Sequence, residues 1–185
     1  MNKKPINITD IVLIGLFAAV VHGGQYIRFT IPTPIGNTAI SLGNIFVLLS
    51  GFILGPVRGG LAAGIGSYLF SLTYAGHFNV IPFQLVLRFA QAFVCGLLAR
   101  KSLGSRYAAA IAGQATYIAL LFTQWFFWES LVVKGLYPVE ALILLFAVPF
   151  GPVVTWVING VIAVAVVVPL VPVIKNALST SKTRS

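Results

Sequence analysis

Arg88 is the residue of this sequence whose position most demands a chemical reason. It stands some eight residues into an apolar run, roughly 12 Å from the end of that run at 1.5 Å per helical residue. A charge at such depth is expensive unless it faces a protein interior or a wet cavity. Gln84, Arg88 and Gln91 are spaced four and three apart, so a helix places all three on one stripe. Arg88 then either clasps another helix, through a backbone carbonyl or Glu129, or contacts a ligand, and three adjacent polar groups exceed what one clasp needs. Trp125 and Trp128 lie three apart in Gln124-Trp125-Phe126-Phe127-Trp128-Glu129, and each serves equally as an interfacial anchor or a stacking platform. Trp156 and Asn159 repeat that spacing, and a buried Asn needs partners. A flat heteroaromatic ligand stacked by Trp and hydrogen-bonded by Asn159, Arg88 and Gln84 fits the pattern of a mostly apolar pocket with few polar anchors. His22, Gln25 and Tyr26 add polarity nearby, for which interhelical hydrogen bonding is an equal account.

Catalysis finds no comparable support. The acids number three, Asp10, Glu129 and Glu140, too few for a convincing acid/base pair. Asp10 falls in the first turn of a helix, where a carboxylate favours the positive end of the dipole. His22 and His77 lack HExxH spacing and have no Cys or carboxylate cluster beside them, so no metal or cofactor is expected. There is no GxxxxGK[ST] loop either, so any ATP that drives this protein is hydrolysed by a partner.

The elements that position these residues follow from composition. Of 185 residues 58% are apolar and 8% charged, with a mean hydropathy of +0.99, which excludes an ordinary soluble domain. A span needs about 20 apolar residues, so the chain has room for roughly six and little else. Pro, Gly and charge divide it near Ile8 to Arg28, Ser41 to Leu54, Gly59 to Tyr74, Val80 to Ala99, Tyr107 to Glu129 and Phe146 to Ile174. The second is too short to cross comfortably. Val139 to Val148, bracketed by Pro138 and Pro149, reads as outer loop or the start of the last helix. The expected fold is therefore an all-α integral membrane protein with six transmembrane helices in one domain, 1–185, with tails at 1–7 and 175–185.

The net charge of +9 could signal nucleic acid in a soluble protein, but its placement says otherwise. Lys3, Lys4, Arg58, Arg100, Lys101, Arg106, Lys175, Lys182 and Arg184 lie in termini or short breaks, so both termini and those breaks are expected in the cytoplasm. Arg28, Arg88 and Lys134 need another explanation. Cys95 is alone and has no partner for a disulfide. The apolar stretch after Met1-Asn2-Lys3-Lys4 is too long for a signal peptide and reads as a retained helix. The outer connections are Phe29 to Ile40, Tyr74 to Asn79 and Ser130 to Phe150, and Ile31 to Asn37, with Pro32 and Pro34, cannot be helical. Gly15, Ala19 and Gly23 form a small-residue strip on the first helix, and Gly59, Gly60, Ala63, Gly64 and Ser67 do so on the third. Internal packing accounts for the latter at least as well as a partner does.

Ile11 to Ala19, Ile40-Ser41-Leu42-Gly43-Asn44-Ile45, Gly51 to Ser67 with its LGP-x-x-G-x-x-A-G-x-G-S stretch, and Cys95 to Lys101 together resemble the S component of energy-coupling factor (ECF) vitamin transporters. That resemblance implies a vitamin-binding subunit of the bacterial cell membrane, working with a transmembrane coupling subunit and two ATP-binding cassette ATPases. It implies that Gly15 and Ala19 contact the coupling subunit. It also implies a ligand site near the outer face, in regions holding Asn37, His77, Gln84, Arg88, Trp125, Trp128, Trp156 and Asn159, and ATP-driven toppling of the whole subunit. The branch it resembles most takes hydroxymethylpyrimidine or pyridoxine, although Arg88 stands where that branch often has Lys. Arg88 would also suit the carboxylate of pantothenate or biotin, and riboflavin, folate and thiamine remain open. The competing classes are a stand-alone secondary carrier or channel relaying ions through Arg88 and Glu129, and a scaffold whose polar residues only clasp helices.

Overall fold

The computed structural model describes residues 7–33, 36–74, 81–99, 102–124, 126–128, 135, 137, 139 and 150–182. Six helices are described: α1 Ile8–Tyr26, α2 Gly43–Leu54, α3 Pro56–Thr73, α4 Ile81–Leu98, α5 Leu103–Gln124 and α6 Phe150–Lys182. Between α1 and α2, β1 Arg28–Thr33 pairs antiparallel with β2 Gly36–Ser41, setting Arg28 opposite Ser41 and Pro32 opposite Asn37. The non-helical connection is therefore a hairpin, and the expected all-α fold carries this one β element. Pro32 fits because in a two-stranded sheet each strand is an edge with N–H groups that need no ladder partner. Such a hairpin is marginal alone, and its base is tied down. The Leu42 N–H donates to the Ile27 carbonyl at 3.2 Å, and the Ser41 N–H donates to Asn159 Oδ1 on α6 at 3.0 Å.

The helix boundaries fall within a few residues of expectation except in α6, which runs through Lys182 and makes a helix of most of the expected tail. Its 33 residues span about 50 Å, beyond the ~30 Å hydrocarbon core. α2, with 12 residues or about 18 Å, falls short of that thickness. Among the described residues, two helical stretches are long and apolar enough to cross a membrane, Ile8–Tyr26 and Val157–Ile174, while Gly43–Leu54 and Phe83–Leu98 are apolar but shorter. Large apolar side chains stand on the outward faces, among them Val12, Leu16, Val86, Ile111 and Val161, while Asn44, Ser50, Ser67, Gln91 and Gln114 are buried. This distribution suits lipid as solvent and reverses that of a water-soluble bundle.

Glycine builds the break between α2 and α3. Gly55 has φ +83°, a conformation costly for residues with a Cβ, and Pro56 opens α3 where its missing N–H is harmless. One turn earlier α2 lies directly against α4, and a Cβ on Gly51 would press into the Ala92 carbonyl. At the same end Asp10 accepts a hydrogen bond from the Asn7 N–H at 3.0 Å and pairs with Arg58 at 2.7 Å. The starts of α1 and α3 thus lie together, and the hairpin lies at the opposite end.

Gly51→Val should destabilise the solubilised protein by at least about 1–3 kcal/mol, since backbone rather than a movable side chain blocks the new methyls. Gly15→Ala, at a glycine with nothing within 4 Å of its would-be Cβ, should stay within about 0.5 kcal/mol. Thermal unfolding in detergent measures both.

Candidate functional site

Arg88 is half-buried and lies on the α4 face turned toward α2 and α5. Its Nη1 donates to Asn44 Oδ1 at 3.0 Å and to Gln91 Oε1 at 2.8 Å. Gln91 Nε2 donates to Asn44 Oδ1 at 2.9 Å and to Gln114 Oε1 at 2.9 Å. Asn44 Nδ2 donates to Gln114 Oε1 at 3.1 Å, and at 3.4 Å to the Asn159 carbonyl. The guanidinium carbon sits 3.9 Å from the centroid of the Tyr117 ring, a cation–π distance. Side chains from α2, α4 and α5 and a carbonyl of α6 thus meet at one cluster. Helical spacing explains the α4 contribution, because Arg88 and Gln91 are three apart on one face. Carboxamide oxygens of Asn44 and Gln91 solvate the charge, and Asp10, the described carboxylate, is engaged with Arg58 instead. Arg88 Nε is buried without a hydrogen-bond partner among the described residues.

The other expected site residues are distributed as follows. Gln84 is buried one turn toward the hairpin from Arg88. Asn159 holds Ser41 through its side chain and Asn44 through its carbonyl, so it links the hairpin to the cluster. Trp128 lies edge-on to Phe83, with ring centroids 5.3 Å apart at 62°. Asn37 belongs to β2, but its side chain, that of Trp156, and His77, Trp125, Glu129 and Lys134 lie outside the described residues. Of the expected set, the structure brings Arg88 and Asn159 to one cluster, with Gln84 a turn away.

The residues that sequence reasoning misses are Asn44, Gln114 and Tyr117. The available signal is the isolation of each amide within an apolar run, where a polar group requires a partner. Gln25 and Tyr26 do bond between helices: Gln25 Nε2 donates to Ser67 Oγ at 2.6 Å, and the Tyr26 and Thr73 hydroxyls share a hydrogen bond. Arg28 finds its explanation at the hairpin end, its guanidinium 4.6 Å from both the Phe70 and the Tyr74 ring and its Nε donating to the Gln25 carbonyl at 2.9 Å. The two small-residue strips part company. Gly60 and Gly64 lie against Phe89 and Leu85 of α4, whereas a Cβ added at Gly15 or Gly23 would meet nothing within 4 Å, and Ala19 is exposed.

The described residues form an apolar-surfaced helical bundle with a polar cluster inside it and a hairpin at one end, an arrangement that suits a membrane protein. The sequence profile of the ECF-type riboflavin transporter S component family matches residues 5–176, and the chain belongs to that family. A solved S component of a bacterial ECF transporter shares the fold, with a TM-score of 0.61 at 18% identity over 92% of this chain and 97% of that one. No curated protein sequence matches.

Asn44→Leu should cost about 1.5–3 kcal/mol in thermal unfolding, the worth of hydrogen bonds to a charged group. The double variant Asn44→Leu/Arg88→Met should regain part of that loss, because an apolar pair leaves no stranded charge. A double-variant loss equal to the sum of the losses of Asn44→Leu and Arg88→Met alone would show that the two side chains are not coupled.

Proposed function

We propose that this chain is the substrate-binding S component of an ATP-driven uptake transporter and that it captures a flat heterocyclic vitamin at its hairpin end. The observation that carries this reading is the polar cluster around Arg88, which sits beneath the hairpin where α2, α4, α5 and α6 meet. Gln84 and Trp128 stand on the hairpin side of it, and the remaining proposed ligand residues are Asn37, His77, Trp125, Trp156 and Asn159. Riboflavin is the first ligand to test, since the family carries its name. Hydroxymethylpyrimidine and pyridoxine, the vitamins of the branch the sequence most resembles, come next.

The hairpin end faces outward in this reading, and both termini lie in the cytoplasm with the nine basic residues of the inner breaks and tails. Energy comes from partners, a coupling subunit and two ATPases, because the chain has no nucleotide-binding loop. The open strip of Gly15 and Ala19 supports α1 as the docking face, since unobstructed small residues let another helix approach closely. Arg88 is solvated by amides rather than paired with a described carboxylate, which gives an ion relay through it no support.

Purified protein should bind one member of a panel of riboflavin, hydroxymethylpyrimidine, pyridoxine, pantothenate and biotin without ATP, and uptake in cells should require co-expressed ATPase subunits. Binding of no member, or uptake by liposomes holding this chain alone, would reject the reading. Gly15→Leu with Ala19→Leu should leave binding unchanged and abolish uptake; surviving uptake would move the docking face elsewhere.

A further inference from the structure

Arg28 and Arg88 reach the start of α2 from two sides. Arg28 opens β1 and donates from Nε to the Gln25 carbonyl at 2.9 Å, and Gln25 packs directly against Gly43. Arg88 comes from α4 and donates to Asn44, the next residue, at 3.0 Å. The two charges are near enough to act on each other, and like charges repel. Neither guanidinium is paired with a carboxylate among the described residues, where Asp10 is bound to Arg58 at the opposite end of the bundle. Amides and aromatic rings surround both instead. Such groups solvate a cation without neutralising it, so two positive charges stand at the hairpin end of an apolar bundle with no described charge to balance them.

Both side chains also keep donors in reserve. Arg88 makes its two hydrogen bonds from Nη1, and Nε is the nitrogen sealed off without a partner. Its Nη2 makes no hydrogen bond among the described residues and is not sealed off in that way. Arg28 bonds through Nε alone, and its guanidinium lies over Phe70 and Tyr74 with neither Nη hydrogen-bonded among the described residues.

We infer that Arg28 and Arg88 together recognise an anionic group of the substrate, a carboxylate or a phosphate, and that Arg28 is the further specificity-determining residue. The unused Nη groups donate to the anion's oxygens, and charge-assisted bonds of this kind are the strong ones. A neutral carbonyl would fill the open donors but leave the repulsion, whereas an anion answers both. The inference rests on the S-component reading and narrows its ligand to charged molecules, placing pantothenate, biotin and the phosphate esters of riboflavin and pyridoxine ahead of neutral vitamins.

The test measures equilibrium binding to the purified full chain for matched pairs: pantothenate and panthenol, biotin and its amide, riboflavin and its phosphate, pyridoxine and its phosphate. Wild type should bind the charged member of one pair about tenfold or more tighter than the neutral one, and the pair that responds separates carboxylate from phosphate. Arg28→Met should lose most of that preference by weakening the charged member alone, while Arg28→Lys keeps most of it. A merely structural arginine would weaken both members of the pair alike in Arg28→Met, which overturns the assignment of Arg28. Neutral members bound as tightly as charged ones by wild type overturn the inference and leave the S-component reading intact. Wild type that binds no member of any pair overturns both.

Discussion

A guanidinium placed midway along an apolar helix has to be solvated by the protein, and the arrangement of the bundle follows from how this one is. Arg88 Nη1 spends its donors on Asn44 and Gln91, Gln91 passes a donor on to Gln114, and Asn44 donates to both Gln114 and the Asn159 carbonyl. Donors run outward from the charge and acceptor oxygens face back toward it, so each amide orients the next. Shifting α2, α4 or α5 by one residue would turn one amide out of the cluster and strand the others. The cluster therefore sets helix register, a task that apolar packing alone performs loosely.

The same constraint connects the interior to the hairpin. Asn159 presents its carbonyl to the cluster and its side chain to Ser41, and a two-stranded hairpin with little stability of its own is held over the bundle by that contact and by the anchoring of Arg28 on Phe70 and Tyr74. Close backbone contact makes the arrangement possible on the other side. Gly51 and Gly59 let α2 lie against α4 and α3 with no side chain between, which brings Asn44 within reach of residues on α4 and α5.

Much of this is legible without the structure. Pro, Gly and charge mark the six helical runs, and the stripe of Gln84, Arg88 and Gln91 is legible because spacing within one helix determines a shared face. Partners on other helices are not. The sequence offers Arg88 either Glu129 or a carbonyl, and its acceptors are instead amides 44 positions before it and three after it. Asn44 stands in plain view inside an apolar run, but nothing in a linear sequence says which two of several lone amides meet. The hairpin is legible only as a stretch that cannot be helical, since strand pairing depends on the base contacts that hold it.

The two glycine strips mark the boundary most clearly. Composition, charge placement and hydropathy by themselves determined that the chain is small, apolar and divided into helical runs, with most of its basic residues in the breaks and tails, because these depend on local residue chemistry. Only the tertiary structure decided that the α3 strip is filled by α2 and α4 while the α1 strip stays open, and that Gln124 is buried without a partner among the described residues when Gln114 Oε1 accepts two hydrogen bonds. Each of those outcomes depends on which neighbour occupies the facing space, and a single helix carries no information about that.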